Sequence, residues 1–397
     1  MSRSAATPWR AGCPALSEYP VIVAARRTPI AASGGALAGL GAAELATPVV
    51  RACVDDAARA TGSSGPVGDV VLGNCMGPGG NLARVAALGA GLGHAVPGMT
   101  VDRQCGSGLA AIISAAETIR AGDSRLRVAG GVESCSTAPT RAIGGVVYRR
   151  APFTPAGHPD PDMVRAAQDL AVHDGINRDQ QDAYAARSHR LALRAQESGG
   201  YDAELVPLEG FTTDTNPRRR LPAMLARFPV LFPDGGTLTA GNSCRDSDGA
   251  AAVAIVAPHL RGSAPGLAVR ATATVGCDPA LPGLGAAVAV RDLLARNGIG
   301  VADLAAIEIV EAFAAQTLAS LTRLGLADGD DIDDRVCAGG GALALGHPWG
   351  ASAAVSVVRL FTRLVRAGAP AGTLGLATAA VGGGLGVAAL FEVVRHD

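Results

Sequence analysis

Short β-branched runs, separated by stretches with helical spacing, constrain this chain most. PVIVA (residues 20–24) and GDVVLG (68–73) are bounded by turn residues and read as short buried strands. Between them, Ala42 to Ala60 carries apolar residues at helical spacing. Leu109, Ile112, Ile113 and Ala116 follow the i, i+3, i+4, i+7 rule, and Gly122 closes that helix. LRVAGGVES (126–134) then reads as a strand leaving into a glycine turn. This rhythm predicts a layered α/β sheet.

Composition shifts near residue 138. From there to about residue 240 the chain is richer in charge, proline and aromatics, with a polar helical stretch from Arg178 to Gln196. An inserted, more exposed subdomain is expected. From Leu267 the rhythm resumes, with a helix at 286–297, a strand at 305–310, a glycine-rich segment at 338–350, a helix at 354–366 and strands at 373–378 and 386–394. CGSGLAAIISAAETIRAG, followed by RVAGG, has a counterpart in WGASAAVSVVRLFTRLVRAG, followed by LGLATAAVGGG. A duplicated half would bring the loop at Cys105 and the loop at His347 together at a pseudo-twofold axis.

A length of 397 residues exceeds one core of roughly 100–200 residues, so two or three units are expected. Charged residues make up only 17%, below the roughly 25% typical of soluble domains, which suggests a large interior and subunit interfaces. A net charge of −1 gives no electrostatic reason to expect nucleic acid. No run of 18 apolar residues predicts a membrane span. Residues 1–19 lack a secretory core and are expected to form a flexible tail. Eight cysteines without a CxxC pair fit a reducing cytoplasm, and no metal-ligand spacing is present. All 34 basic residues are arginines, which excludes Schiff-base chemistry on lysine. Phosphate contacts must come from arginine, backbone N–H groups or hydroxyls.

Three segments carry candidate chemistry. In VDRQCGSGLAA (101–111), Cys105 sits just before a helix start near Ser107, where free N–H groups and the helix dipole favour thiolate. The glycines flanking Ser107 would permit close approach by a substrate. GGGALALGHPWGAS (339–352) holds His347 between glycine and proline, in a loop that cannot be regular helix or central strand. GLATAAVGGGLGV (375–387) carries a glycine triplet whose N–H groups could face a developing oxyanion. Taken singly, Cys105 also fits a packed small residue and His347 a structural loop residue.

Together these segments resemble the thiolase family. VIVAARRTPI (21–30) is similar to its opening strand and RTP turn, and NLAR (81–84) and AGGVES (129–134) to its next landmarks. CGSGLAA is similar to the nucleophile segment and TLTAGNSCRDSDGAAA (237–252) to the coenzyme A-side loop. VEAFAAQ (310–316), GGALALGHPWGAS and GLATAAVGGG are similar to the NEAF, GHP and CxG motifs. The resemblance runs in order from about residue 20 to residue 394.

The resemblance implies a five-layer αβαβα sandwich of two thiolase halves. Residues 20–138 with 243–266 would form the amino-terminal half, 139–242 a lid over coenzyme A, and 267–397 the carboxy-terminal half. It implies a Cys105 thiolate that takes an acyl group from a thioester, activated by His347, with an oxyanion hole from the N–H groups of Cys105 and Gly382. Coenzyme A would be a substrate carrier, with no bound cofactor or metal. The donor would be an acyl-CoA or acyl-carrier-protein thioester, and the assembly a homodimer or homotetramer. Arg218, with Arg219 and Arg220, would face coenzyme A phosphates, Ser243 and Cys244 its pantetheine arm, and Met163 the pantetheine end. His158, His173 and His189 are expected on the lid surface, and Glu311 is expected to be structural.

Two departures stand out. Ala380 occupies the CxG cysteine position, and Val310 replaces the NEAF asparagine. Arg245 and Ala353 replace glycines, Asp162 replaces a histidine, and Trp349 is large enough to wall the pocket. Alanine moves no proton, so ordinary condensation and thiolysis should suffer, while acylation of Cys105 should survive. Three readings follow. The first is a thiolase whose base has moved to Cys337, Cys135 or Cys244. The second is an acyltransferase for an amine, hydroxyl, acidic carbon or decarboxylating acceptor. The third is a non-catalytic partner subunit.

Overall fold

The computed structural model describes residues 19–148, 150–208 and 210–396. The expected tail therefore lies outside the described residues except for Tyr19. That residue is buried, with the guanidinium groups of Arg120 and Arg270 over its ring.

The main sheet is two half-sheets joined at one short ladder. In the first, strand Val67–Gly73 runs parallel to Gly98–Val101 on one side and to Leu126–Ser134 on the other. Leu126–Ser134 then pairs antiparallel with Ser247–Val256, and that strand with Val21–Arg27. The second half repeats the pattern. Leu304–Ile309 is parallel to Leu374–Val381, followed by antiparallel Leu385–Val394 and Gly266–Gly276. Val21↔Ala268 and Ile22↔Leu267 join the halves edge to edge.

Period-two alternation along the strands separates the helical layers. Val70, Leu72 and Val128 face outward onto helix Ala42–Thr61, packing with Leu45, Val49 and Cys53. Val71, Ala129 and Val253 face inward onto two central helices, Ser107–Arg120 and Trp349–Leu360. Ala377, Val387 and Ala389 of the second sheet close the same central core from the other side. Leu376, Leu390 and Ile307 face outward onto Gly285–Asn297 and Ala314–Leu324. The result is the expected five-layer αβαβα sandwich. Leu126–Ser134 and Ser247–Val256 are buried at every residue because both their faces are covered.

Local readings differ in three places. The strand expected to end in a glycine turn continues through Gly130 and Gly131. A Cβ at Gly131 would lie 1.9 Å from the Gly350 carbonyl oxygen, so glycine lets a central helix abut the strand. The helix expected at 354–366 begins at Trp349, directly after Pro348, and passes into a π-helical turn over Phe361–Arg366. Strands Gly98–Val101, Ser247–Val256 and Gly266–Gly276 were not anticipated. The second is SDGAAAVAIV, whose alanines have weak strand preference.

The inserted segment holds a hairpin of Arg141–Ile143 and Val146–Tyr148 and helices Met163–Asp174 and Arg178–Glu197. Fully buried Arg27 ties it to the sheet, with Nε donating to Glu204 at 2.7 Å and both terminal nitrogens to Asp214 at 2.7 and 2.9 Å. Arg359 of a central helix donates to the same Glu204 at 2.7 Å. Every charge in this buried cluster has a partner, as burial requires. No described helix is long and apolar enough to cross a membrane.

Candidate active site

Cys105 stands at the end of a tight turn between strand Gly98–Val101 and helix Ser107–Arg120. The Ser107 hydroxyl fixes that turn, accepting from the Arg103 N–H at 2.7 Å and donating to the Gln104 carbonyl at 2.6 Å. Gln104 adopts φ 45°, a left-handed conformation unusual outside glycine, and its N–H donates to Asp102 at 2.8 Å. The flanking glycines serve close packing. A Cβ at Gly106 would meet Val387 and Val381 at 2.8 and 2.9 Å, and one at Gly108 would meet Ala354 at 2.9 Å.

His347 comes from the other half. Its backbone pairs with the segment entering strand Ser247–Val256, its N–H donating to the Arg245 carbonyl at 2.9 Å, and Asp246 and His347 form a parallel bridge. Gly346 must be glycine here, since φ is 102° and a Cβ would lie 2.2 Å from the Ser247 hydroxyl. The imidazole is buried between two partners, with Nδ1 2.6 Å from Ser352 Oγ and Nε2 3.3 Å from Cys105 Sγ. The two loops predicted to meet do meet.

Burial pushes the Cys105 thiol up to about 12, reinforced by the charges of Glu133, Asp246 and Asp102 and opposed by its own backbone N–H. Burial lowers His347 to about 4. Burial disfavours both ions and so opposes the thiolate that the helix start favours, the direction that keeps the resting pair neutral. In the tautomer that leaves Nε2 as the acceptor, the thiol donates to Nε2 and Nδ1–H donates to Ser352 Oγ. Such a pair can hand over its proton when an electrophile arrives.

The pair opens on a cavity of about 630 Å³. Ala380 and Gly382 line it, as do Met163, Asp162, Ser243, Cys244 and Trp349. Phe153 packs against Gly382, where a Cβ would lie 2.6 Å from its ring. The Ser243 hydroxyl and the Gln316 amide are buried in this wall without a partner among the described residues. The sequence reading missed Gln316, Ser352 and Asp246. Ser352, one turn into the helix that follows His347, was the most findable of the three.

Other expected residues lie elsewhere. Cys337 is fully buried in the outer core, its thiol 3.5 Å from the Ile309 carbonyl, and does not line the cavity. It cannot be the relocated base. Cys135 does not line the cavity either, and burial raises the thiols of Cys135, Cys244 and Cys337 above their ordinary value. Val310 packs in the central core rather than on the cavity wall. Arg218 is off the wall too, its N–H donating at 3.1 Å to Nδ1 of His189. His189, expected on the surface, is buried, and burial lowers it to about 4. Glu311 is structural as expected, accepting from Tyr184 at 2.9 Å and Ser188 at 2.7 Å. Among the described residues no cluster of three or more His, Cys, Asp or Glu could hold a metal ion.

Residues 20–259 match the thiolase N-terminal domain, and residues 264–393 match the thiolase C-terminal domain. A Staphylococcus haemolyticus protein provisionally named acetyl-CoA C-acetyltransferase VraB is 40% identical over 393 residues, spanning 95% of this chain and 99% of that one. The Staphylococcus aureus protein of the same name (strain MRSA252) is 38% identical over 389 residues, spanning 94% and 98%. The crystal structure of a Bacillus anthracis acetyl-CoA acetyltransferase superposes with a TM-score of 0.86 at 34% identity, covering 95% of this chain and 99% of that one.

Proposed function

The chain belongs to the thiolase family, and on that premise we propose that it transfers acyl groups through a thioester formed on Cys105. The donor is an acyl-CoA or acyl-carrier-protein thioester, so coenzyme A arrives as part of the substrate. Nε2 of His347 takes the thiol proton as sulfur attacks the acyl carbonyl, and gives it to the departing thiolate. The N–H groups of Cys105 and Gly382 receive the negative charge on the carbonyl oxygen. Met163, Ser243 and Cys244 flank the pantetheine arm. The acyl group then passes to an acceptor.

The observation that carries this reading is the 3.3 Å contact between Cys105 and His347, opening on a cavity whose wall includes the methyl group of Ala380. A missing base costs about 10²–10⁴-fold, and a missing oxyanion donor about 10²–10³-fold. Condensation and thiolysis that need a base at position 380 are therefore slowed by Ala380, while acylation is spared; Val310, off the cavity wall, offers no donor there. The intact pair also argues against a non-catalytic partner subunit. Self-association, as homodimer or homotetramer, is supported by exposed apolar residues on the hairpin, Ile143 at 74% and Val146 at 72%. We place the protein in the cytoplasm, where its free thiols remain reduced.

Incubation with acetyl-CoA followed by intact-mass measurement tests the proposal. One acetyl adduct on the wild type is expected, with slow thiolysis of acetoacetyl-CoA. No adduct would return the chain to the partner-subunit reading, and thiolysis at an ordinary thiolase rate would refute the weight given to Ala380.

A further inference from the structure

We propose that Asp246 is the general base of the second half-reaction, removing the α-proton of an acceptor acyl thioester that Ala380 cannot remove. This rests on the acyl-Cys105 reading above, and it names the acceptor class as a carbon acid. Asp246 lines the same cavity as Cys105, His347, Ala380 and Gly382. Its backbone forms a parallel bridge with that of His347. The indole N–H of Trp349 donates to Oδ1 at 3.0 Å and holds the carboxylate, while Oδ2 takes no hydrogen bond among the described residues.

Glu133 and Asp102 also act on the Cys105 sulfur. Glu133 is occupied by the side-chain amide of Asn74 and the N–H groups of Cys75, Met76 and Gly350. Asp102 caps the turn at Gln104. Asp246 also acts electrostatically on Cys244 across the cavity wall. Partial desolvation raises its carboxyl above the ordinary value although the residue keeps solvent contact, the direction that strengthens a carboxylate as a base.

The step balances without an oxidant. The α-proton moves to Asp246 Oδ2, and the C–H electron pair forms the new carbon–carbon bond to the acyl carbonyl carbon. The carbonyl carbon–Sγ bond breaks to leave the Cys105 thiolate, and the proton held on Asp246 passes through solvent to that thiolate, restoring the resting thiol.

The test is exchange of the acetyl-CoA methyl hydrogens with deuterium in D2O, read by NMR, alongside acetylation of Cys105 read by intact mass. Wild type should exchange, and Asp246→Asn should lose exchange by about 10²-fold or more. Asparagine can still accept the indole N–H, so a merely positioning role would survive that change. The variant should acetylate at least as readily, since a negative charge near the sulfur is gone. Asp246→Glu should recover part of the exchange. Exchange that persists in Asp246→Asn, or that is absent from acetylated wild type, overturns the proposal. An absent adduct would instead overturn the acyl-enzyme reading, and Asp246-dependent exchange would still support the carboxylate's role.

Discussion

Nε2 of His347 lies 3.3 Å from Sγ of Cys105, although 242 positions separate the two residues in the chain. The duplicated topology brings them together, since each residue precedes one of the two central helices, Ser107–Arg120 and Trp349–Leu360. Replacing the imidazole removes the proton acceptor outright. His347→Ala should slow acetylation of Cys105 by about 10²–10⁴-fold, measured by time-resolved intact mass. Ser352→Ala keeps the ring but frees Nδ1, and should cost roughly tenfold or less. Equal losses in both variants would contradict a positioning role for Ser352.

The neutral pair fixes a pH profile. Acetylation needs an imidazole free to accept a proton, and His347 is lowered to about 4 while the thiol is raised to about 12. The rate should stay level from neutral pH down to about 5 and fall as pH drops through about 4, where the imidazole becomes protonated. An acid limb centred near the ordinary histidine value of 6.5 would contradict the burial argument.

Ala380 lines the cavity that receives the acyl group, so Ala380→Cys places a titratable thiol where there is now a methyl group. Thiolysis of acetoacetyl-CoA should rise by about 10-fold to 10²-fold, with little change in the acetylation rate. A thiolysis rate indifferent to the substitution would mean that the wall at 380 does not limit turnover.

Gly108 sits where the two central helices touch, and a Cβ there would meet Ala354 Cβ, Ala354 N and the Gly350 carbonyl oxygen, each at 2.9 Å. Two of these neighbours are backbone atoms and cannot swing aside. Gly108→Ala should destabilise the fold by about 1–3 kcal/mol in urea denaturation and spread the Cys105–His347 pair, slowing acetylation. Unchanged stability would contradict the tight helix contact.

Much of the architecture was legible because strand and helix periods differ and the motif order was complete. The buried strand SDGAAAVAIV was not, since a strand covered on both faces shows no polar alternation and alanine favours neither reading clearly. Cys105 and His347 were legible as a pair, but the charge state was not. The helix start is visible in sequence, whereas the desolvation that opposes it comes from elements far away in the chain. His189 looked like a surface histidine on a polar helix and is instead enclosed beside the Arg218 backbone. Cys337 looked close to the site because the glycine run follows it directly, yet its thiol turns into the outer core. Asp246 passed unnoticed because only the fold brings it, with Trp349, onto the wall of the cavity.

The most direct test is the intact mass of wild type and Cys105→Ala after exposure to acetyl-CoA, with peptide mapping of any adduct. A single acetyl group on Cys105, absent from Cys105→Ala, is the predicted result. An adduct that survives in Cys105→Ala, or a wild type that stays unmodified, would contradict the assignment of Cys105 as the acyl carrier.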